Sequence, residues 1–297
     1  MRLLTSFRQS IAGFPRIAVY TALVFTLLGI FAPVIAPHDP LVQDLLSANQ
    51  GPSVEHFLGT DHLGRDTLSR LIVSARTSLV AMALIIGFAL VIGIGLGTLA
   101  GYRGGWTEEV IMRFIDVGLA MPSLIIALAM IGIFGPGYTN MIIALVLAFF
   151  PGFARVSRSL AVTIMNRPYI EALRVMGASP ARIYFRHLLP TTVGAVLVYA
   201  TADAGGIALS IATLSFLGLG VQPPTPEWGQ MLVDGMIYLE SDPRQVILPG
   251  LALTCVVAGF NLLGESIALN RIPRPLSMRT INRREAQAKL WIEEKQA

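Results

Sequence analysis

Uninterrupted apolar stretches are the feature that most limits how this chain can fold. Six of them reach about 20 residues, the length a helix needs to cross a hydrocarbon core of ~30 Å. Only 13% of the 297 residues are charged, about half the usual share of a soluble domain. This argues against a disordered chain, a nucleic-acid-binding module and most soluble enzymes. We therefore predict an all-α polytopic membrane protein with six spans, near Ile17–Ala36, Leu79–Leu99, Ile115–Phe134, Tyr138–Val156, Thr191–Leu217 and Val246–Leu269.

The first apolar stretch also ends like a secretory signal, because Val34, Ile35 and Ala36 resemble a cleavage site. Its length exceeds the roughly 7–15 residues of a typical signal-peptide core. Pro37 follows directly and should hinder cleavage. We therefore expect a retained span rather than a signal peptide.

Arginine and lysine in the connecting segments predict the orientation, because short cytoplasmic loops carry an excess of both. The N-terminal arm, the segment between spans four and five and the tail are basic, whereas the segments after spans one and five are acidic. This alternation places both termini in the cytoplasm. We divide the chain into residues 1–76 (cytoplasmic arm, first span and extracytoplasmic segment), 77–270 (a five-helix core with a cytoplasmic loop at about 157–190) and 271–297 (a basic cytoplasmic tail).

Small residues mark one face of span two, where Gly93, Gly97 and Gly101 follow one another at a spacing of four. Residues at this spacing share a helix face and let two helix backbones approach closely in lipid. The pattern is explained by ordinary helix packing, or by a helix that slides or rocks beside a pathway. The sequence leaves both interpretations open.

Span five carries an acidic residue, Asp203, near its middle. A charge at that depth costs about 2.5–3.5 kcal/mol on insertion scales, so the side chain should face a cavity or a partner. With Gly206 and Ser210, it is our candidate for lining a translocation pathway. A structural hydrogen bond to a neighbouring helix or subunit explains Asp203 equally well.

The basic segment between spans four and five predicts two short helices. Pro168 opens the first, Gly177 suits the left-handed position that ends it, and Ser179-Pro180 suits the N-cap and first position of the second. A long, basic, helical segment in the cytoplasm is typical of a docking element. We expect it to bind a groove on a soluble partner.

The same segment resembles the EAA signature of ABC-importer permeases, with Glu171-Ala172, Gly177 and Leu189-Pro190 in the right order. Leu173 and His187 both depart from the general signature. His187 nevertheless fits the peptide and nickel branch of the family. Further stretches resemble the C-type permease subunit of dipeptide, oligopeptide and nickel importers. They are Leu58–Asp66, Ala75–Ser78, Arg186–Pro190 and Phe216–Pro224 with Trp228-Gly229.

This resemblance implies a type I ABC-importer permease fold in a bacterial inner membrane. The implied partners are a homologous permease, two ATP-binding subunits that use ATP and Mg, and an extracytoplasmic solute-binding protein; this chain would bind no cofactor. Small peptides are the favoured substrate class, with nickel or a metal chelate as the alternative. The residues to which the resemblance assigns a role in ATPase coupling are Glu171, Ala172, Gly177, Ala178, Arg186 and Pro190.

The acidic segment 218–244 is predicted to lie on the extracytoplasmic side, opposite the basic segment between spans four and five. Glu227, Trp228 and Asp234 are our candidates for contact with the solute-binding protein. A packed surface loop is the alternative interpretation of the same residues.

The sequence lacks the residues for ATP hydrolysis. A Walker A loop needs a glycine-rich stretch before its lysine, and the only two lysines, Lys289 and Lys295, lack one. We predict no catalytic residue. A stand-alone secondary transporter is the competing class, but it would be expected to show inverted repeats, interrupted helices or several buried charges.

Metal-ligand clustering is also not expected from the sequence. The four histidines are scattered, although His56 and His62 share a segment with Asp61 and Asp66. We therefore predict no metal site in this chain.

Overall fold

The computed structural model describes residues 16–271, and helices dominate this range. They are α1 (Arg16–Ile35), α2 (Thr67–Arg103), α3 (Gly105–Leu119), α4 (Ser123–Phe134), α5 (Tyr138–Met165), α6 (Pro168–Val175), α7 (Pro180–Ile183), α8 (Leu189–Phe216), α9 (Trp228–Met236) and α10 (Arg244–Arg271). Within residues 16–271, β pairing is limited to an isolated bridge between Thr60 and Asp66. The predicted all-α class is confirmed. The N-terminal arm up to residue 15 and the basic tail from residue 272 lie outside the described residues.

The helix α2 is much longer than the predicted second span. It begins after Asp66, whose carboxylate accepts a hydrogen bond from the backbone N–H of Ser69 at 2.8 Å. It ends at Gly104, which has a φ of +63°. Its 37 residues extend about 55 Å at 1.5 Å per residue. This helix therefore runs the full length of the bundle, and it crosses the predicted boundary between residues 76 and 77 without interruption.

The glycine stripe of α2 packs against α5. A Cβ atom added at Gly101 would lie 2.8 Å from the Cβ of Ala161, and one added at Gly97 would overlap the carbonyl oxygen of Ala154. Gly93 meets α5 in the same way. Because no side chain fits between the two backbones, the structure supports the packing interpretation of the stripe.

The third predicted span is not one continuous helix. The helices α3 and α4 are bent by 89° relative to each other, so the predicted span over Ile115–Phe134 is interrupted at Pro122, where proline favours a kink. Pro122 precedes α4 with φ −56° and ψ 134°, outside the helical region. Proline has no N–H to donate to the preceding turn and disfavours the helical conformation of the residue before it. Hydropathy did not reveal the bend because both helices are apolar.

Within residues 16–271, four helices are long and apolar enough to cross a membrane, and the bent pair α3–α4 would bring the number to five. The described part of α1 adds a shorter apolar stretch, Thr26–Ile35. The total of six spans therefore stays a prediction. The four long helices are Thr67–Arg103, Tyr138–Met165, Pro180–Phe216 and Arg244–Glu265.

The hairpin of α6 and α7 continues directly into α8. A π-helical turn at Tyr184–Leu188 joins α7 to α8, and the whole helix from Pro180 to Phe216 has 37 residues. The prediction of a short second helix followed by a separate span from Thr191 is therefore wrong. Pro190 cannot donate a backbone hydrogen bond, and the wider hydrogen-bond spacing of the π turn just before it accommodates its ring.

The two ends of the bundle are distinct. Near the end of α2, the hydroxyl of Tyr102 donates to the carbonyl oxygen of Pro180 at 3.2 Å. Near its beginning, the indole N–H of Trp228 donates to the carbonyl oxygen of Leu71 at 3.3 Å. We call residues 166–188 the hairpin, and residues 36–66 with 218–243 the cap. The length of α2 separates them.

Candidate functional site

A tight turn joins the two helices of the hairpin. Gly177 has a φ of +80°, its N–H donates to the carbonyl of Arg174, and the N–H of Ala178 donates to that of Leu173, each at 3.0 Å. This pair of bonds is a Schellman motif, which favours glycine at the left-handed position. Ser179 then caps the backbone of α7 with its side chain. The first helix, the turn at Gly177 and the start of the second helix at Ser179-Pro180 are confirmed, whereas the second helix continues into α8.

The tip of the hairpin combines an acidic group with exposed apolar side chains. Glu171 and Ala172 are exposed, and Val175 and Met176 are 85% and 73% exposed. Ile170 is buried and holds α6 against the rest of the chain. Sequence reasoning missed Val175 and Met176, because an apolar residue in a short helix normally points inward. The exposed apolar surface at this turn is suited to contact with another polypeptide.

The other predicted coupling residues lie around and below the tip. Ala178 is half-buried, whereas Arg186 and Pro190 are exposed. Arg186 belongs to the π turn and Pro190 to the start of α8, so both lie near the root of the hairpin. The structure thus groups Glu171, Ala172 and Gly177 at the tip but leaves Arg186 and Pro190 apart from them.

Two tyrosines anchor the hairpin to α2. The hydroxyl groups of Tyr184 and Thr98 are 2.8 Å apart, within hydrogen-bonding distance. The rings of Tyr102 and Tyr184 meet edge to face with centroids 5.2 Å apart. Sequence patterns gave no signal for these contacts because the partners are more than 80 residues apart, 86 in the case of Thr98 and Tyr184. The hairpin is therefore fixed to α2.

Two arginines near the end of α5 pair with acids on α3. Arg155 donates to Asp116 at 2.6 Å, and Arg158 pairs with Glu108. Both arginines lie within α5, which extends to Met165, well beyond the predicted end of span four at Val156. These pairs hold α3 beside α5 near the hairpin end of the bundle.

In the cap, Glu227 and Trp228 are only 1% and 2% exposed. One carboxylate oxygen of Glu227 accepts a hydrogen bond from the hydroxyl of Ser78 at 3.0 Å, and the other accepts from the N–H of Gln230 at 3.1 Å. Burial raises the pKa of Glu227 above its ordinary value, although its hydrogen bonds act in the opposite direction. Because both side chains are enclosed, the prediction that they contact a binding protein is revised: they join α9 to α2.

The third candidate of that group, Asp234, belongs to a cluster of charged side chains within the cap and at the start of α2. Asp61 binds Arg65 at 2.7 Å and Arg70 at 3.4 Å, and Asp234 lies 3.7 Å from each of the two arginines. Asp61 also accepts hydrogen bonds from the backbone N–H groups of Leu63 and Arg65. The motif Leu58–Asp66 therefore folds into a loop that neutralises two buried arginines, and Asp234 completes this neutralisation from α9.

The cap also brings together two histidines that were predicted to be scattered. His56 Nδ1 lies 2.9 Å from Asp66 Oδ1 and His38 Nδ1 lies 3.8 Å from Asp66 Oδ2, so that prediction is wrong for this pair. His62 stacks instead on Tyr238, with ring centroids 5.2 Å apart. Burial opposes the ionisation of Asp66, but hydrogen bonds from Ser69 and His56 outweigh it and hold the pKa of Asp66 below its ordinary value.

The predicted pathway residues share one face of α8. Asp203 is half-buried, Gly206 is exposed, and the hydroxyl of Ser210 donates to the carbonyl oxygen of Gly206 at 2.9 Å. The same helix packs closely on α10, because a Cβ atom added at Gly205 would lie 2.5 Å from Asn261 Oδ1. The role of these three residues in a pathway stays a prediction.

Several membrane-length helices, with the hairpin at one end and the folded polar cap at the other, are typical of a polytopic membrane protein. The family described as the inner membrane component of binding-protein-dependent transport systems matches residues 93–274. The chain belongs to this family.

Relatives of known function cover most of the chain. It is 39% identical to the dipeptide transport system permease protein DppC of Alkalihalophilus pseudofirmus, over 82% of this chain and 80% of that protein. It is 38% identical to the nickel transport system permease protein NikC of Escherichia coli K12, over 85% and 91%. It is 42% identical to the glutathione transport system permease protein GsiD of Escherichia coli O6:K15:H31, over 83% of each chain. The predicted resemblance to C-type permease subunits of ABC importers is confirmed.

A solved structure agrees with the fold. A chain of the MetNI methionine ABC transporter, in an inward-facing crystal form, superposes with a TM-score of 0.55 and 21% sequence identity, covering 67% of this chain and 95% of that chain. At this identity the likeness concerns the fold. The helical core is therefore that of an ABC-importer permease.

Proposed function

We propose that this permease subunit forms the translocation pathway together with a homologous permease, and that the hairpin is the element through which two ATP-binding subunits drive it. The observation that carries this proposal is the tip: Glu171, Val175 and Met176 are exposed on a turn made rigid by its hydrogen bonds. Helix-in-groove contact uses this combination of exposed apolar and charged side chains on a short helix.

In the orientation we propose, the hairpin faces the cytoplasm of a bacterial cell and the cap faces the opposite side of the inner membrane. The excess of arginine in the hairpin and in the terminal segments supports this orientation. A solute-binding protein would then deliver its solute at the cap. Asp234 is the candidate contact that remains, since Glu227 and Trp228 are buried.

The mechanism we propose is alternating access. A partner shifts a conformational equilibrium only if it binds the two states with different affinity. The ATP-binding subunits must therefore hold the hairpin differently in their nucleotide-bound and nucleotide-free states. ATP and Mg would act in those subunits, and this chain would bind no cofactor.

We propose small peptides as the substrate class, with nickel or a metal chelate as the second candidate. The support is that relatives of similar identity include permeases named for dipeptides, for glutathione and for nickel. Uptake of a labelled dipeptide, in competition with glutathione or with Ni²⁺, distinguishes the two classes in cells that carry the complete transporter.

The coupling role is tested by purifying the complex through this subunit and comparing variants of the hairpin. Glu171→Ala with Val175→Asp should reduce co-purification of the ATP-binding subunits. Glu55→Ala, an exposed glutamate of the cap, is the matched control and should leave it unchanged. Normal recovery of both ATP-binding subunits with the hairpin variant would contradict the proposal, and ion-driven uptake by this chain alone would favour a secondary transporter.

A further inference from the structure

Three side chains with metal-ligating atoms converge in the cap. His38 follows α1, His56 lies in the connecting segment, and Asp66 is the N-cap of α2. Their nearest ligand atoms all lie within 4.8 Å of one another. The proximity of His56 to Asp66 in the chain was visible in the sequence, but the approach of His38 was not, because its position depends on the folded cap.

The three groups are held in place before any ion binds. Ser69 donates both its backbone N–H and its hydroxyl to Asp66 Oδ2, at 2.8 and 2.6 Å. The backbone N–H of His38 donates to the same Ser69 hydroxyl at 3.0 Å, which places the histidine ring above the carboxylate. The rings of His38 and His56 are 4.9 Å apart. The cluster is therefore preorganised by the start of α2.

The distances are close to those of a metal site. Ligand atoms about 2.0–2.1 Å from a tetrahedral Zn²⁺ lie roughly 3.3 Å from one another. Asp66 Oδ1 is 2.9 Å from His56 Nδ1, and Oδ2 is 3.8 Å from His38 Nδ1. The three donors lie within 4.8 Å of one another, so binding an ion would draw them closer together. The His38 side chain is 40% exposed, so an ion has access from solvent.

Hydrogen bonding accounts for only part of this arrangement. His56 has a clear partner in Asp66, but the ring of His38 has no hydrogen-bond partner within residues 16–271, and it stands 3.8 Å from the carboxylate. A structural bond between His56 and Asp66 does not require the second imidazole.

We propose that His38, His56 and Asp66 bind a divalent transition-metal ion of the Zn²⁺ or Ni²⁺ type. Two imidazoles and one carboxylate suit such ions, whereas Mg²⁺ prefers oxygen ligands. Three protein ligands leave a position for water. A bound ion would join the segment after α1 to the start of α2, and so stabilise the cap independently of what the transporter carries.

The test uses the full-length chain, purified in detergent through an affinity tag without histidine. Equilibrium dialysis and thermal unfolding are measured with Zn²⁺, Ni²⁺ and Mg²⁺. We expect one Zn²⁺ or Ni²⁺ per chain and a metal-dependent rise in the unfolding temperature, with no comparable effect of Mg²⁺. His38→Ala removes a ligand without removing a hydrogen bond. It should weaken binding about tenfold or more, since even losing a partner outside the ligand set costs that much.

Two further variants keep the test decisive. His56→Asn retains a donor for Asp66 but is a poor ligand for these ions, so it should fold and lose metal binding. His62→Ala is the matched control, because His62 contacts Tyr238 instead, and it should bind normally. The proposal is overturned if the wild-type chain takes up neither ion, if His38→Ala and His56→Asn bind as well as wild type, or if His62→Ala weakens binding equally.

Discussion

The buried carboxylate of Glu227 accepts a hydrogen bond from the hydroxyl of Ser78 at 3.0 Å, across 149 residues of sequence. The contact joins the start of α9 to α2 in the interior of the cap. Because burial raises the pKa of Glu227, the folded protein binds this proton more tightly than the unfolded chain does.

The pH dependence of stability follows from that difference. The stabilising contribution of protonated Glu227 is fully present below the unfolded pKa of about 4.5 and is lost as the pH rises through the higher folded pKa. Glu227→Gln cannot ionise and lacks this dependence. We therefore expect the unfolding temperature of Glu227→Gln, relative to wild type, to increase between pH 5 and pH 8. A constant difference across this range would contradict the prediction, and Glu55→Gln serves as an exposed control.

A second prediction concerns the contact between α2 and α5. Gly97→Ala would place a Cβ against the carbonyl oxygen of Ala154 and should destabilise the chain by about 1–3 kcal/mol. Gly95→Ala is the matched control, because nothing lies within 4 Å of a Cβ added there. Thermal unfolding in detergent measures both. Equal destabilisation by the two variants would show that helix packing at Gly97 is not the cause of the lost stability.

A third prediction concerns the cluster of charged side chains in the cap. Asp61→Asn removes the carboxylate nearest to Arg65 and Arg70, and breaking such a buried pair costs about 3–5 kcal/mol. Asp234→Asn removes a more distant charge, at 3.7 Å from each arginine, on a side chain that is 23% exposed against 11% for Asp61, and should cost less than Asp61→Asn. Unfolding temperatures of the two variants provide the comparison. A larger loss for Asp234→Asn would reverse our assignment of Asp61 as the main partner.

A fourth prediction tests the turn of the hairpin and rests on the proposed coupling role. With φ at +80°, Gly177→Val would carry a left-handed strain of about 1–2 kcal/mol, whereas asparagine tolerates this conformation better. No atom lies within 4 Å of a Cβ added at Gly177, so a steric clash within the chain does not contribute to the expected effect. We expect Gly177→Val to reduce solute uptake per ATP hydrolysed in proteoliposomes and Gly177→Asn to preserve most of it.

If Gly177→Val transports with the efficiency of wild type, the turn has no role in coupling. If Gly177→Asn fails as fully as Gly177→Val, bulk rather than backbone strain is responsible, and the partner's groove is then the site of the clash. Expression and elution volume show whether each variant is folded.

Local sequence signals predicted local structure well. Pro168, Gly177 and Ser179 each act within one turn of their own position, and the two helix starts and the turn lie where these residues indicate. The glycine spacing in α2 likewise indicates a close helix–helix contact, although only the structure identifies α5 as the partner.

Features that depend on distant residues were not predictable in this way. Pro122 favours a kink in the third span, but the angle of 89° between α3 and α4 does not follow from their hydropathy, since both helices are apolar. Glu227 is acidic and lies in a polar loop, yet it is buried because Ser78 and Gln230 supply hydrogen bonds from elsewhere in the cap. Val175 and Met176 are exposed although they are apolar, and no pattern in the sequence of α6 indicates this.

The unbroken course of the helix from Pro180 to Phe216 has a mechanical consequence. Over 37 residues it extends about 55 Å, and a rod of that length pivoting near its middle moves its two tips in opposite directions. If the helix pivots in this way, a sideways displacement of a few ångströms at Pro180 is accompanied by an opposite displacement at Phe216. Flexion in between is easiest at Tyr184–Leu188, where the hydrogen-bond ladder changes its spacing. The stiffness of those five residues would then determine how much of a displacement applied at Pro180 reaches Phe216.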